Sequence, residues 1–173
     1  KSDYDPKGKF FLERYISAHS IMISFEGIPA IYFNSLFGKS NDEAKYIITG
    51  NNRDVNRYKW NYKNILKKLD DKNSKQSIFY QKISTLLSVK GKQKAFHPNA
   101  SRHNINLGSK IFSFKRTSIN KEQTIICITN LSSRFQTAGL NRIYHNWNNL
   151  IGSKIEIKNK LLILKPHETI WLS

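Results

Sequence analysis

The sequence predicts an α/β segment followed by an all-β domain, and three patterns carry that prediction. Across residues 10–25 apolar side chains recur three and four apart. Across residues 28–33 they run without interruption and are rich in β-branched and aromatic types. After Lys90 the period shortens to brief alternating stretches separated by Gly, Asn and Ser. The first pattern is that of an amphipathic helix, the second of a strand buried on both faces in a parallel sheet, and the third of short antiparallel strands. The change of period places a boundary near Gly91, dividing the chain into residues 1–90 and 91–173.

Residues 1–9 read as a loop broken by Pro6 and Gly8. The first helix presents Phe11, Leu12, Tyr15, Ile16, Ala18, Ile21, Met22 and Phe25 as its buried face, and Gly27 stops it. The buried strand 28–33 feeds a long polar loop. Tyr62, Ile65, Leu66 and Leu69 then predict a short helix, residues 70–75 a polar turn, and Ser74 or Ser77 caps a further helix that carries Phe79, Ile83, Leu86 and Leu87 up to Gly91. Beyond it, strands are predicted over 102–107, 110–117, 123–131, 135–140, 154–157 and 160–171, the last broken by Pro166. Their close spacing predicts an antiparallel sheet or a small β-sandwich.

At 173 residues and 39% hydrophobic content the chain is long and apolar enough to bury a core. Its net charge of +17 comes from 29 Lys+Arg against 12 Asp+Glu, which raises the alternative of a small basic module for nucleic acid or another polyanion. The lysines are spread along the chain among Asn and Ile rather than gathered on one segment. RNP-type, zinc-finger and Walker-type motifs are absent, so nucleic acid is not the expected partner. The single cysteine, Cys127, sits in an apolar run and reads as a buried structural thiol in a reducing, cytoplasmic setting. No apolar run reaches a membrane span, and the N-terminus does not resemble a signal peptide. The chain lacks an initiating methionine, so an excised piece or a mature form of something longer is expected. His19, His97, His103, His145 and His167 are scattered without HxH or HExxH spacing, and no metal is expected. Trp147 and Trp171 are expected to fill the β core.

One polar cluster stands out after the buried strand. Arg53, Asp54, Asn56 and Arg57 fall within five positions, more directional hydrogen-bonding groups than a connection needs.

Three separated stretches carry a resemblance. GIPAIYFNSLFGKSND followed by TGNNRDVNR, then AFHPNAS, then the closing LLILKPHETIWLS, resemble in order the last strand, its loop, the following junction and the final β strands of sucrose phosphorylase-like enzymes. These form part of glycoside hydrolase family 13, the α-amylase family. The resemblance implies that residues 1–90 are helix 7, strand 8, its acceptor-side loop and helix 8 of a (β/α)8 barrel, and that 91–173 are the C-terminal β domain. In such a barrel the loop after strand 8 faces the active site.

The resemblance further implies retaining transglycosylation on sucrose or a related small α-glucoside, with inorganic phosphate as co-substrate and no cofactor. It puts the catalytic carboxylates on strands 4, 5 and 7, so no catalytic residue is assigned in this chain, which alone is expected to be inactive. Its expected partners are sugar, phosphate and the N-terminal barrel portion of the same enzyme, with homo-oligomerisation left open. By motif match Arg53 is the leading acceptor- or phosphate-binding residue, since a guanidinium grips an oxyanion bidentately. Its competing role is a loop-bracing ion pair with Asp42 or Asp54. Asn56 and Arg57 match the same motif, and Asn41 and Asp42 match the family's ND pair, with shaping of the loop as their expected task. Lys39 and Ser40 stand where many relatives carry an arginine before that pair, which leaves the acceptor open among fructose, glycerate and other small polyols. A lone parallel strand at 28–33 has no neighbour to pair with, so residues 1–90 are expected to be marginal alone and the β domain to be the stable part.

Overall fold

The structure is a computed structural model that describes residues 8–139, 147–152 and 154–173. Its described residues form five α-helices and seven strands, and the chain divides into two compact units, Ala30–Ser84 and residues 8–29 with Thr85–Ser173. The division differs from a linear cut near Gly91, because the first helix groups with the strands.

Helix α1 (Phe11–Ser24) forms where the spacing predicts it, yet the face it buries is Ser17, Ser20, Ile23 and Ser24. Met22 is 37% exposed, and the longer apolar side chains lie only partly covered. The serines can be buried because each hydroxyl donates back into its own helix: Ser17 to Arg14 O at 3.0 Å, Ser20 to Ile16 O at 2.8 Å and Ser24 to Ser20 O at 2.6 Å. Small, internally satisfied side chains let α1 pack closely on the sheet, where bulk would hold it off. Gly27 follows with φ +81, and its N–H donates to Pro98 O at 3.0 Å.

The predicted strand over 28–33 does not form. Residues 28–32 are irregular, and α2 (Phe33–Leu36) begins where the strand was expected to end. All the described strands follow Ser101 and pair antiparallel, so nothing offers this segment a parallel ladder. The apolar side chains are correspondingly uncovered, with Ile28 85% and Phe33 55% exposed. Nor is the succeeding loop wholly irregular. It contains α3 (Glu43–Thr49), capped by Asp42, and a 3-10 turn over Asn52–Val55.

The remaining helices that begin in the Ala30–Ser84 unit follow prediction. Helix α4 (Tyr62–Asp70) starts at Asn61, whose side chain accepts from Asn64 N at 3.1 Å. Helix α5 (Lys75–Gly91) is capped by Ser74, whose hydroxyl accepts from Ser77 N at 3.0 Å. Phe37, Ile65, Phe79 and Ile83 are the buried apolar residues of this unit. Gly38 is required by the packing: its φ is +57, and a Cβ there would collide with the Phe79 ring.

The all-β part agrees closely with the sequence pattern. Strands β1 (Ser101–Asn104), β2 (Ile111–Thr117), β3 (Thr124–Asn130) and β7 (Thr169–Leu172) form one antiparallel sheet in the order β1-β2-β3-β7. Strands β4 (Gln136–Gly139), β6 (Leu161–Leu164) and β5 (Glu156–Lys158) form a second, in the order β4-β6-β5. Leu140, the end of one predicted strand, lies outside the described residues, as does His145. Ile111, Ile126, Ile128, Ile170 and Leu172 from the first sheet share one core with Ala138, Leu162 and Leu164 from the second, the packing of a β-sandwich. Trp147 packs against that core, and Trp171 is fully buried, its ring 4.8 Å from that of Phe96.

Arg116 on β2 is fully buried. Its Nη1 donates to Ser24 O at 2.7 Å, at the end of α1, and its Nη2 to His97 O at 2.8 Å and Ala100 O at 3.2 Å. Lys90 Nζ reaches Ile23 O at 2.8 Å, so two cations meet the carbonyl end of α1, the end at which the helix dipole favours positive charge. Burial lowers the pKa of both side chains from their ordinary values. Among the described residues no helix is long and apolar enough to cross a membrane.

Candidate functional site

The segment that follows residue 32 is held in shape by one buried amide. Asn34, on α2, donates from Nδ2 to Asn56 O and Tyr58 O, each at 3.1 Å, while its Oδ1 accepts from Trp60 Nε1 at 2.7 Å. This ties the return of the loop to its start, with no sequence-distant helix involved. An aromatic group surrounds the anchor: Phe37 stands 5.1 Å from Phe33 and 5.7 Å from Trp60, Tyr58 stands 4.9 Å from Trp60, and Lys39 Nζ lies 4.0 Å over the Tyr58 ring.

Asp42 fixes the middle of the loop. Its carboxylate accepts from Lys45 N at 3.2 Å to cap α3, and its own N–H donates to Val55 O at 2.6 Å. Asn51 accepts from Arg53 N at 3.0 Å and starts the 3-10 turn. Asp54 pairs with Lys45 Nζ at 3.1 Å. Hydrogen bonds from Thr49 and Lys45, reinforced by the nearby charge of Arg57, hold the Asp54 carboxyl below the usual aspartate range.

These braces leave the arginines for other work. Arg53, Asn56 and Arg57 line one cleft of about 350 Å³ together with Tyr32 and Asn52. The structure therefore gathers three of the five residues singled out in the sequence. Asp42 stands apart as a helix cap, and Asn41 is exposed beside it and does not line the cleft. Arg53 is not the loop-bracing partner of Asp54, which pairs with Lys45.

Tyr32 and Asn52 were missed. Tyr32 falls within the predicted strand 28–33, and Asn52 lies just before the polar cluster that begins at Arg53. Asn34, the anchor, had one legible signal, a polar residue closing an apolar run. The lining comprises two guanidiniums, two primary amides and one phenol, with no acidic side chain among the five. Such a set recognises an oxyanion through its charge and hydroxyl groups through its amides.

No family model matches the chain. It is 29% identical over 162 residues to glucosylglycerate phosphorylase of Escherichia coli, covering 92% of this chain and 28% of that protein. Glucosylglycerate phosphorylase of Allomeiothermus silvanus is likewise 29% identical over 164 residues, covering 93% of this chain and 27% of that protein. Among solved structures, AmyP bound to maltotriose superposes with a TM-score of 0.73 at 16% identity, over 97% of this chain and 36% of that one. Trehalose-6-phosphate hydrolase of Bacillus licheniformis gives 0.69 at 14% identity, over 99% of this chain and 40% of that one.

The chain resembles glycoside hydrolase family 13, the α-amylase family, in sequence and in fold. It spans just over a quarter of the length of the curated family 13 relatives it matches. The family 13 structures share its helical part followed by antiparallel sheets, and at these identities they speak for the fold alone.

Proposed function

We propose that this chain is the C-terminal portion of a retaining family 13 phosphorylase that acts on a small α-glucoside, sucrose or a relative of it, with inorganic phosphate as co-substrate. The observation that carries the reading is the cleft in which Arg53 and Arg57 stand with Asn52, Asn56 and Tyr32 and no acidic side chain. The phosphorylases with which the chain shares 29% identity bear the name of a glucoside of glycerate. A small hydroxy acid suits the lining, with its carboxylate on Arg53 and its hydroxyls on the amides.

In the reaction a carboxylate outside this chain attacks the anomeric carbon, and a second carboxyl group protonates the departing acceptor oxygen. Phosphate then displaces the enzyme carboxylate, giving a glucosyl phosphate with net retention. The residues of this chain hold the acceptor while its bond to the sugar breaks, and Asp42, Asn34 and the Lys45–Asp54 pair keep the loop in place. Cys127 takes no part. Its buried thiol, pushed up to about 12, stays protonated.

The test is complementation. The chain is combined with the N-terminal portion of the Escherichia coli glucosylglycerate phosphorylase, and phosphate-dependent release of glucosyl phosphate is followed. Arg53→Ala is expected to raise KM for the glucoside, whose departing acid or polyol the guanidinium holds, about ten- to a hundredfold, the loss of one charge-assisted contact of about 1.5–3 kcal/mol. An unchanged KM for both glucoside and phosphate counts against the assignment, as does turnover of sucrose and phosphate by the chain alone.

A further inference from the structure

The two cleft arginines have an anionic rival in their own turn. Asp54 adjoins Arg53 in sequence and stands three residues before Arg57, the spacing at which opposite charges on a helical turn meet. A carboxylate paired with either guanidinium would occupy the donors that the cleft needs for an oxyanion. The charge of Arg57 already reaches Asp54. Yet among the described residues neither arginine is in an ion pair, and both line a cleft from which Asp54 is absent.

What holds Asp54 elsewhere comes from the preceding helix. Lys45 Nζ meets its Oδ1 at 3.1 Å, with the two side chains only 36% and 20% exposed. The hydroxyl of Thr49, one turn further along α3, hydrogen-bonds the same carboxylate. Thr49 is neutral, so Lys45 is the cation that opposes Arg57. The other task at this position belongs to the main chain, since it is the Lys45 backbone N–H that completes the Asp42 cap. Nor does α3 bury any residue that the Lys45 stem would have to support. The ammonium is left with one visible role, and that role concerns Asp54.

We infer that Lys45 is a positioning residue for the oxyanion cleft: by holding the Asp54 carboxylate against α3 it keeps Arg53 and Arg57 open to a ligand. Lys45 does not line the cleft and acts only through Asp54. The inference rests on the reading above, in which the cleft takes an oxyanion. It differs from simple bracing of the loop, because the pair matters for removing a competitor.

The experiment uses the whole 173-residue chain with inorganic phosphate as the probe. Phosphate affinity is measured by isothermal titration calorimetry at fixed ionic strength. The arginine Nε–H signals are followed by NMR in the phosphate-free chain, and circular dichroism shows that each variant is folded. Lys45→Met keeps the aliphatic stem and the main-chain cap. It should weaken phosphate binding about three- to tenfold and shift the Nε–H signal of Arg53 or Arg57 as Asp54 turns towards it. Lys45→Gln, made alongside, should do the same, so the answer does not hang on the folding of one variant. Asp54→Asn should tighten binding slightly in the parent chain and by about threefold or more in the Lys45→Met background. The double variant should thereby regain the affinity and arginine signals of the parent, a non-additivity that identifies the competitor. If the pair only braced the loop, Asp54→Asn would weaken binding and the double variant would stay weak. If only net charge mattered, the two effects would simply add. Either result overturns the inference, as do arginine signals that the Lys45 variants leave unmoved. Absence of phosphate binding by the parent chain, or binding indifferent to Arg53→Ala, strikes the oxyanion reading of the cleft. The arginine signals, which need no ligand, then still uphold or overturn the holding of Asp54 by Lys45.

Discussion

Replacing Arg116 with methionine should destabilise the chain severely, even though methionine fills much of the same space. The guanidinium is fully buried and donates to three backbone carbonyls, those of Ser24 at 2.7 Å, His97 at 2.8 Å and Ala100 at 3.2 Å. A buried ion pair is often exchanged for apolar residues without loss, because both charged partners leave together. Here the acceptors are main-chain groups that no substitution removes. Charge-assisted hydrogen bonds are worth about 1.5–3 kcal/mol each, so three have a nominal sum of about 5–9 kcal/mol. Relief from burying a charge offsets part of this, as does the one guanidinium nitrogen, Nε, that finds no acceptor among the described residues. A net loss of about 3–5 kcal/mol remains, equivalent to a fall of about 10–15 °C in Tm for a chain of this size. Urea unfolding followed by tryptophan fluorescence measures it. Arg116→Lys should recover only part of the loss, since one ammonium cannot span three carbonyls in the plane of a guanidinium. A loss below about 1 kcal/mol for the methionine variant would refute the reasoning, because it would mean that the carbonyls find other donors at little cost.

Three further outcomes are expected. Gly38→Ala should cost about 2 kcal/mol or more in urea unfolding, since the φ of +57 disfavours a side chain and the added Cβ meets the Phe79 ring. The Asp54 carboxyl titrates below the ordinary aspartate range, so its pairing with Lys45 stabilises the loop above that range and is lost as pH falls through the lowered value. The protection factors of the α3 amides, taken as observed exchange relative to the intrinsic rate at each pH, should therefore fall on acidification below about pH 4, and Asp54→Asn should remove that dependence. Cys127, with its thiol pushed up to about 12, should resist a thiol-specific reagent at pH 8 in the native chain and react once urea unfolds it.

The β-sandwich was legible because its strands are short and alternate, and each ladder is closed within the chain. Phe114 finds Cys127, Ile128 finds Ile170 and Ala138 finds Leu162, so local pattern and tertiary pairing agree. The burial of α1 was not legible, because periodicity counts apolar residues and takes no account of closeness. Ser17, Ser20 and Ser24 are buried for being small and self-satisfied, a property that reads as polar in sequence. Arg116 was hidden for a related reason: the alternation of β2 says which face it occupies, but only the arrival of the α1 carboxyl end makes that face interior. The site was half legible. Crowded Arg and Asn residues point to the cleft, and Asp42 shapes the loop as a helix cap in keeping with its expected task, whereas Tyr32 is hidden in a run with the composition of a strand.

That run is the informative failure. Residues 28–33 have the composition of a strand buried on both faces, and in this structure they are not a strand. A helix satisfies its own backbone, which is why α1, α4 and α5 appear where their periods predict. A parallel strand satisfies none of its own backbone and depends wholly on neighbours. Strand-like composition without a ladder, together with Ile28 at 85% exposure, is therefore a statement about partners rather than an error of propensity. It yields a sharp expectation. In the isolated chain the amides of residues 28–33 should exchange with solvent far faster than those of β3, and addition of the N-terminal portion of the Escherichia coli relative should slow them towards the β3 rate. Rapid exchange in both states would show that the composition has some cause other than a missing ladder, and would remove the strand from the account of this segment altogether.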